Sequence, residues 1–361
     1  MAGLSVCMIV KNEERVIARA LESVRSVADE IIVADTGSTD ATKRICERYT
    51  DKIYDFEWKD DFSAARNFSF AQATRPYIMW LDADDTLSEQ SVKALSDMMR
   101  SLDSEPHDAV MCRYVTARDE SGRPTFSYYR ERIVRKAAEP VWTGFVHECI
   151  RPFADAVYSD DIVIDHYRPG GRDPRRNLNI YQKKIAEGVR LDGRGKYYYG
   201  RELYYNKLYL EAACVLEDYL AGTDKWYVNA VEACSVLADC KLAMGDTDGS
   251  VAALCRSFCY APPRAETVCK LGGLFRKRDD EQAAFWYLSA LSCKAGTQGF
   301  TEPDCLDFIP YIELCGCYYR LGDVARAKKY HELAKAIKPD HPSVIYLSLI
   351  HISEPTRLQL I

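Results

Sequence analysis

The sequence predicts an α/β domain built on a mixed, mainly parallel sheet, followed by an all-α domain of paired helices, and three observations carry that prediction. Over residues 1–170, short β-rich apolar runs alternate with helical patterns, as strands alternate with their covering helices in such sheets. The turn-rich stretch Arg168-Pro169-Gly170-Gly171-Arg172-Asp173-Pro174 ends that regime, and the pattern from Asn177 onward is almost wholly helical. Corners at Tyr205-Asn206-Lys207, Gly245-Asp246, Arg278-Asp279 and Gly322-Asp323 then recur at roughly 34-residue intervals, the period of stacked helix pairs. A length of 361 residues agrees with about two domains.

Each element follows from its own pattern. Leu4–Val10 is apolar, with no basic flank before it and no small-residue cleavage site after it, so it reads as a first strand. Glu14–Val24 places Val16, Ile17, Ala20, Leu21 and Val24 on one helical face. Glu30–Ala34 is the second strand, and Ser38, Thr39 and Asp40 cap a helix over Thr39–Tyr49. Lys52–Phe56 is a short strand, Ser63–Thr74 a helix capped by Asp60 and Asp61, and Pro76–Leu81 a further strand. Beyond the turn-rich stretch, helical spacing recurs over 177–190, 196–206, 208–221, 226–243, 247–260, 264–277, 280–293, 304–320 and 323–337. Small residues at Ala212-Ala213, Ala252-Ala253, Ala283-Ala284 and Ala325/Ala327 mark where paired helices approach. The domains so drawn are 1–170 and 171–342. A tail at 343–361 stands apart, because Leu347–Arg357 resembles an in-frame translation of a sequencing adapter, and no function is expected of it.

Composition removes several function classes. A net charge of −6 provides no basic footprint for nucleic acid or an anionic membrane. No stretch reaches the roughly 18–20 apolar residues that a membrane-spanning helix needs. The fourteen cysteines lack paired zinc-ligand spacing, which makes them reduced core residues of a cytoplasmic protein. No G-x-G-x-x-G follows the first strand, where Lys11-Asn12-Glu13 stands instead, so a dinucleotide oxidoreductase is excluded, and no P-loop appears.

The most telling stretch is Tyr77-Ile78-Met79-Trp80-Leu81-Asp82-Ala83-Asp84-Asp85, an apolar strand ending in three carboxylates within four residues. Crowded like charges repel unless a cation or proton sits among them, and hard divalent metals take oxygen ligands and bridge to phosphates. A solvated acidic turn is the bland alternative. Two earlier strands also end in polar residues, Lys11-Asn12-Glu13-Glu14 and Asp35-Thr36-Gly37-Ser38, at the sheet edge where α/β proteins bind ligands.

Taken together, these three strand ends resemble the nucleotide-sugar half of inverting glycosyltransferases of family 2, which have the GT-A fold, over residues 4–170. The resemblance implies that Asn12 and Glu13 contact the nucleoside and that Asp35 reads the uracil ring. It also implies that Asp82 and Asp84 are a DxD pair holding Mg2+ or Mn2+, with Asp84 the direct ligand and His166 a late ligand to metal or diphosphate. Asp85 is read as a bystander or supporting partner. Arg66 and Asn67 in Phe62-Ser63-Ala64-Ala65-Arg66-Asn67 are expected to support the uracil or diphosphate, against an ordinary surface arginine and helix-interior asparagine. Trp142-Thr143-Gly144-Phe145-Val146-His147-Glu148 resembles the element that supplies the catalytic base in family members with a C-terminal repeat domain. Glu148 or His147 supplies the base, with Glu148 preferred, and in a β-conformation the two point to opposite faces, so only one can face the sugar. Arg130, Arg132 and Arg135 form a basic cluster that either meets phosphate or is a solvated strand face.

The helix pairs resemble tetratricopeptide repeats, whose stacked surfaces bind extended partners. The combined architecture resembles bacterial peptide glycosyltransferases, including those that modify cysteine in bacteriocin precursors. It implies a UDP-hexose donor and a peptide or protein acceptor on the helical domain, or that domain driving a homodimer. A cell-surface glycan acceptor stays open, as does a repeat scaffold carrying an inactive transferase-like domain. Asp82-Ala83-Asp84-Asp85-Thr86 also fits the nucleophile motif of haloacid-dehalogenase-like phosphatases, with Asp82 as nucleophile and Asp84 as acid.

Overall fold

In the computed structural model, which describes residues 2–150, 153–167, 173–296 and 298–348, the chain divides into two units, Met1–Arg190 and Leu191–Ile361. The sheet of the first unit starts from Leu4–Val10 (β1), Glu30–Asp35 (β2), Ile53–Asp55 (β3) and Tyr77–Trp80 (β4), all mutually parallel. Asp85–Leu87 (β5), Ala109–Arg118 (β6), Pro124–Arg135 (β7) and, after the hairpin of Trp142–Thr143 (β8) and Cys149–Ile150 (β9), Ala156–His166 (β10) complete it. The strand order is β3-β2-β1-β4-β7-β6-β10-β5, so the expected mixed, mainly parallel sheet is present.

Both faces of the central strands are buried, which is why they read as continuous apolar runs rather than alternating ones. Val6, Met8 and Met79 face Leu21 of Ile17–Val24 (α1) and Leu95 and Met99 of the later helix Glu89–Ser104. Cys7, Ile32, Ile78 and Trp80 face the opposite way, against Phe70 and Trp142. Between these lie Thr42–Cys46 (α2) and Phe62–Ala71 (α3), so that Glu89–Ser104 is α4 and Arg176–Ala186 is α5. Asp61 caps α3 by accepting from the Ala64 N–H at 2.9 Å, as its position predicts. At the start of α2, Asp40 accepts from the Thr42 N–H at 2.9 Å and Glu14 from the Ala41 N–H at 3.0 Å, and the helix is shorter than its apolar pattern suggests.

One domain assignment changes. Sequence spacing places α5 at the start of the helical domain, but Tyr181 packs edge-on against Phe145 at 5.0 Å and Lys183 pairs with Asp60 at 2.5 Å, which holds this helix in the first unit. The expected linker residues 168–172 lie outside the described residues.

The second unit is all helical: Gly193–Tyr205 (α6), Tyr209–Ala221 (α7), Tyr227–Ala243 (α8), Thr247–Arg256 (α9), Ala265–Phe275 (α10), Asp280–Ala290 (α11), Phe308–Arg320 (α12), Val324–Ile337 (α13) and Pro342–Leu347 (α14). The corners repeat one device: Asp246, Asp279 and Asp323 each accept from backbone N–H groups of the helix that follows. Helices within a pair approach closely where the sequence thins. A Cβ on Gly200 would lie 2.7 Å from Leu216, and one on Gly272 would lie 2.8 Å from Tyr287. Ala212, Ala283 and Ala327 are buried at such contacts, whereas Ala252 and Ala325 face solvent. Val344 and Leu347 pack into the helical core, so residues 343–348 belong to this unit; the remainder of the expected tail, 349–361, lies outside the described residues. All fourteen cysteines are free thiols, nine of them buried, in keeping with core residues.

Candidate active site

The parallel register brings the ends of β1 and β2 level, with Val10 opposite Asp35. Asn12 then turns through a left-handed backbone conformation (φ 54°), and its side-chain oxygen accepts from the Thr39 N–H at 2.8 Å. Ser38 Oγ accepts from the Asn12 N–H at 3.0 Å, and Thr42 Oγ1 from the Glu13 N–H at 2.7 Å. These bonds knit the two strand ends into one ledge. Asp35 is buried beneath it: Oδ2 accepts from the N–H groups of Gly37 and Ser38 at 3.1 and 2.9 Å, while buried Oδ1 has no hydrogen-bond partner. An unsatisfied buried carboxylate oxygen is costly and points to a donor supplied from outside the chain.

After β4 the chain makes a tight turn, closed by the Asp85 N–H donating to the Asp82 carbonyl at 3.1 Å. That turn sends the three acids in different directions. Asp85 is fully buried and faces His166 across the antiparallel β5–β10 pair. Its Oδ1 accepts from Tyr114 Oη at 2.9 Å and lies 3.0 Å from His166 Nδ1, and its Oδ2 accepts from Arg132 Nη1 at 2.8 Å. Asp84 is equally buried, with Oδ1 3.6 Å from His166 Nδ1. Ligand atoms of Asp84, Asp85 and His166 therefore lie within 4.8 Å of one another, a set of two carboxylates and an imidazole suited to a divalent cation.

Asp82 does not join this group. Its carboxylate accepts from Arg66 Nη2 at 2.8 Å, and the same guanidinium donates through Nε to Glu148 Oε1 at 2.7 Å. Desolvation works against ionisation of Asp82, yet Arg66 and Arg132 hold its carboxyl well below the usual carboxylate range. Arg66 is buried in an aromatic box, 4.6 Å from the Trp80 ring centroid and 4.9 Å from that of Trp142. Arg132, fully buried, lies 3.7 Å from the centroid of the same Trp80.

Several expectations change on this geometry. The metal-type cluster contains Asp85 where Asp82 was expected, because the turn delivers Asp82 to Arg66. Asp85 is the hub of the site rather than a bystander. Asn67, expected near the donor, spends both ends of its amide on the Trp142 backbone: Nδ2 donates to the carbonyl at 3.0 Å and Oδ1 accepts from the N–H at 2.9 Å. It staples α3 to β8. His147 and Glu148 lie in the loop joining β8 to β9, not in a strand, and His147 has a left-handed backbone (φ 52°). Such strain persists where the surroundings enforce it, often at functional sites.

Arg132 is not a solvated strand residue: it is fully buried as the counter-charge of Asp85, and its Nε and Nη2 have no hydrogen-bond partner. An arginine set directly before the apolar Ile133-Val134 was its one sequence signal. Asp82 and Asp84 do not form a phosphatase pair, since Asp82 is ion-paired with Arg66.

Comparison with known proteins finds similarity over part of the chain. Residues 5–161 match the Glycosyl transferase family 2 model. A TPR repeat-containing protein of Synechococcus elongatus is 44% identical over 103 residues, covering 28% of this chain and 25% of that protein. The SPbeta prophage-derived glycosyltransferase SunS of Bacillus subtilis is 30% identical over 211 residues, covering 55% of this chain and 48% of that protein. The chain thus spans a quarter to about half the length of these curated relatives. Among solved structures, S. aureus TarS 1-349 in complex with UDP-GlcNAc aligns at a TM-score of 0.38 and 13% identity over 94% of this chain and 93% of that one, a level that speaks to neither fold nor function.

Proposed function

Because residues 5–161 are a glycosyl transferase family 2 domain and tetratricopeptide-like helical repeats follow it, we propose that this chain moves a hexose, with inversion, from a UDP-sugar to a peptide or protein acceptor. The observation that carries the reading is the donor set gathered at the sheet edge. The buried carboxylates of Asp84 and Asp85 stand beside the His166 imidazole, with ligand atoms within 4.8 Å of one another. A divalent cation suits this set, and Asp84, Asp85 and His166 would hold it.

When bound, Mg2+ or Mn2+ would act as a Lewis acid toward the diphosphate leaving group. The chain's own residues supply the rest. Asp35 Oδ1 accepts from the imide N–H of uracil, and the Asn12–Ser38 ledge fixes the ring's approach, with Glu13 at the same strand end. Arg66 orients Glu148 through Oε1, and the Glu148 carboxylate takes the acceptor proton as general base, with His147 its neighbour at the loop apex. The repeat unit supports a peptide acceptor, since stacked helix pairs present an extended binding surface.

A thermal-shift panel of UDP-, GDP- and dTDP-sugars, with and without Mn2+, tests the donor half. Stabilisation specific to UDP-sugars and dependent on metal is expected, and a metal-dependent shift that persists in Asp84→Ala would overturn the assignment of the acidic cluster. Mass spectrometry of peptide and glycan acceptors incubated with the stabilising donor tests the acceptor half: one added hexose on the peptide supports it, and transfer to glycan alone refutes it.

A further inference from the structure

The second unit holds a segment that does not behave as a repeat connection should. In stacked helix pairs each pair touches its neighbours only. Residues Gln298–Glu302, from the connection between α11 and α12, instead lie across the first helices of three successive pairs, α6, α8 and α10. The Phe300 ring stacks on Arg201 of α6, whose guanidinium carbon is 4.5 Å from the ring centroid. Arg201 itself is ringed by tyrosines and donates to Tyr197 Oη and Tyr205 Oη at 3.2 and 2.6 Å. From α8, Tyr227 Oη donates to the Gln298 side-chain carbonyl at 2.8 Å. At the start of α10, Arg264 donates through Nη2 to the Phe300 backbone carbonyl and through Nη1 to Glu232 at 3.0 Å, and Glu266 accepts from the Glu302 N–H at 3.1 Å. Gly299 is required for so close a passage: its φ is +82°, and a Cβ there would lie 2.8 Å from both Arg264 and Val228.

The pattern of these contacts is that of a bound peptide. One aromatic side chain is seated on a cation, one backbone carbonyl and one backbone N–H are held by charged side chains, and a glycine permits approach between them. We propose that the α6–α8–α10 face is a peptide-binding groove which the chain's own Gln298–Glu302 occupies, and that an extended peptide carrying an aromatic residue displaces this segment to reach Arg201 and Arg264. The inference rests on the reading of the acceptor as a peptide and names its recognition chemistry. A tethered occupant acts at an effective concentration of order millimolar, so it screens out peptides that lack the aromatic anchor or the backbone contacts.

A fluorescein-labelled peptide with the sequence Gln-Gly-Phe-Thr-Glu-Pro-Asp, added to the full chain without donor or metal, tests this by fluorescence anisotropy. Phe300→Ala in the chain is expected to tighten binding of the peptide at least about tenfold by removing its competitor. Adding Arg201→Gln to that variant is expected to abolish the gain, as is replacing the peptide's own Phe by Ala. Equal affinity in the unmodified chain and Phe300→Ala, or indifference to Arg201→Gln, would overturn the proposal. Hydrogen exchange on the unmodified chain needs no variant to fold: saturating peptide should speed exchange of the amides of 299–302, and bound peptide with unchanged exchange there refutes displacement. Since no sugar is involved, a chain that binds peptide yet transfers nothing keeps the groove and loses the transferase reading, and the converse result does the reverse.

Discussion

The two ends of the parallel sheet both bury carboxylates, and they treat them in opposite ways. At the N-terminal end Glu30 is opposite Ser5 in the β1–β2 register, and it accepts from Ser5 Oγ, Lys52 Nζ and both the N–H and hydroxyl of Thr74. Desolvation opposes its ionisation, but Lys52, Ser5 and Thr74 together bring its pKa down from 4.5 to about 2. At the C-terminal end Asp35 retains a buried oxygen with no hydrogen-bond partner, and Asp84 and Asp85 crowd together beside His166. A saturated acid stabilises the fold, whereas acids crowded together or short of donors are held in readiness for something that arrives later. Stability and function are thus separated along the strands of one sheet.

That separation can be broken experimentally. The largest effect is expected from Asp84→Ala, which should lower sugar-transfer turnover on the order of 10³-fold while leaving the melting temperature equal or higher, because one of two crowded acids is gone. Glu30→Ala should do the reverse, costing about 3 kcal/mol in urea unfolding by stranding Lys52 and Thr74, with turnover per folded molecule unchanged. The same residue predicts a pH signature. Glu30 is ionised in the folded chain down to about pH 2, but in the unfolded chain only above about 4.5. Its contribution, about 3 kcal/mol, is therefore complete above the upper value and disappears as pH falls to the lower one, and this loss should be missing from unfolding curves of Glu30→Ala.

Smaller effects sharpen the comparison. Asp35→Asn keeps the loop bonds of one oxygen but presents an amide to the uracil, and calorimetry should show UDP affinity reduced about tenfold or more with stability intact. Asn67→Ala should remain within error of the parent in UDP affinity and lose about 1 kcal/mol of stability, since its amide serves only the Trp142 backbone. A large loss of UDP affinity there would return Asn67 to the donor site.

Much of this was legible residue by residue. The apolar run Leu4–Val10 is a strand to its last residue, and the helices of the second unit fall close to their predicted spans, because hydrophobic period and Asp or Gly corners are local signals. The strand ends Asn12, Asp35 and Asp82–Asp85 could be assigned to one edge because parallel strands place their C-terminal ends together. The loop conformation at His147 and the hub role of Asp85 were not legible, as both depend on what stands opposite.

Local chemistry alone therefore establishes which segments are strands or helices and where negative charge accumulates, since period, caps and charge density act over a few residues. Which cation answers each acid is a matter of folding in three dimensions. Arg66 from α3 takes Asp82 and Glu148, and Arg132 from β7 takes Asp85, partners separated by 16, 82 and 47 residues that no local pattern links. Coulomb attraction and desolvation act through space, so the division of labour among three adjacent aspartates becomes definite only once the sheet has brought its distant strands together.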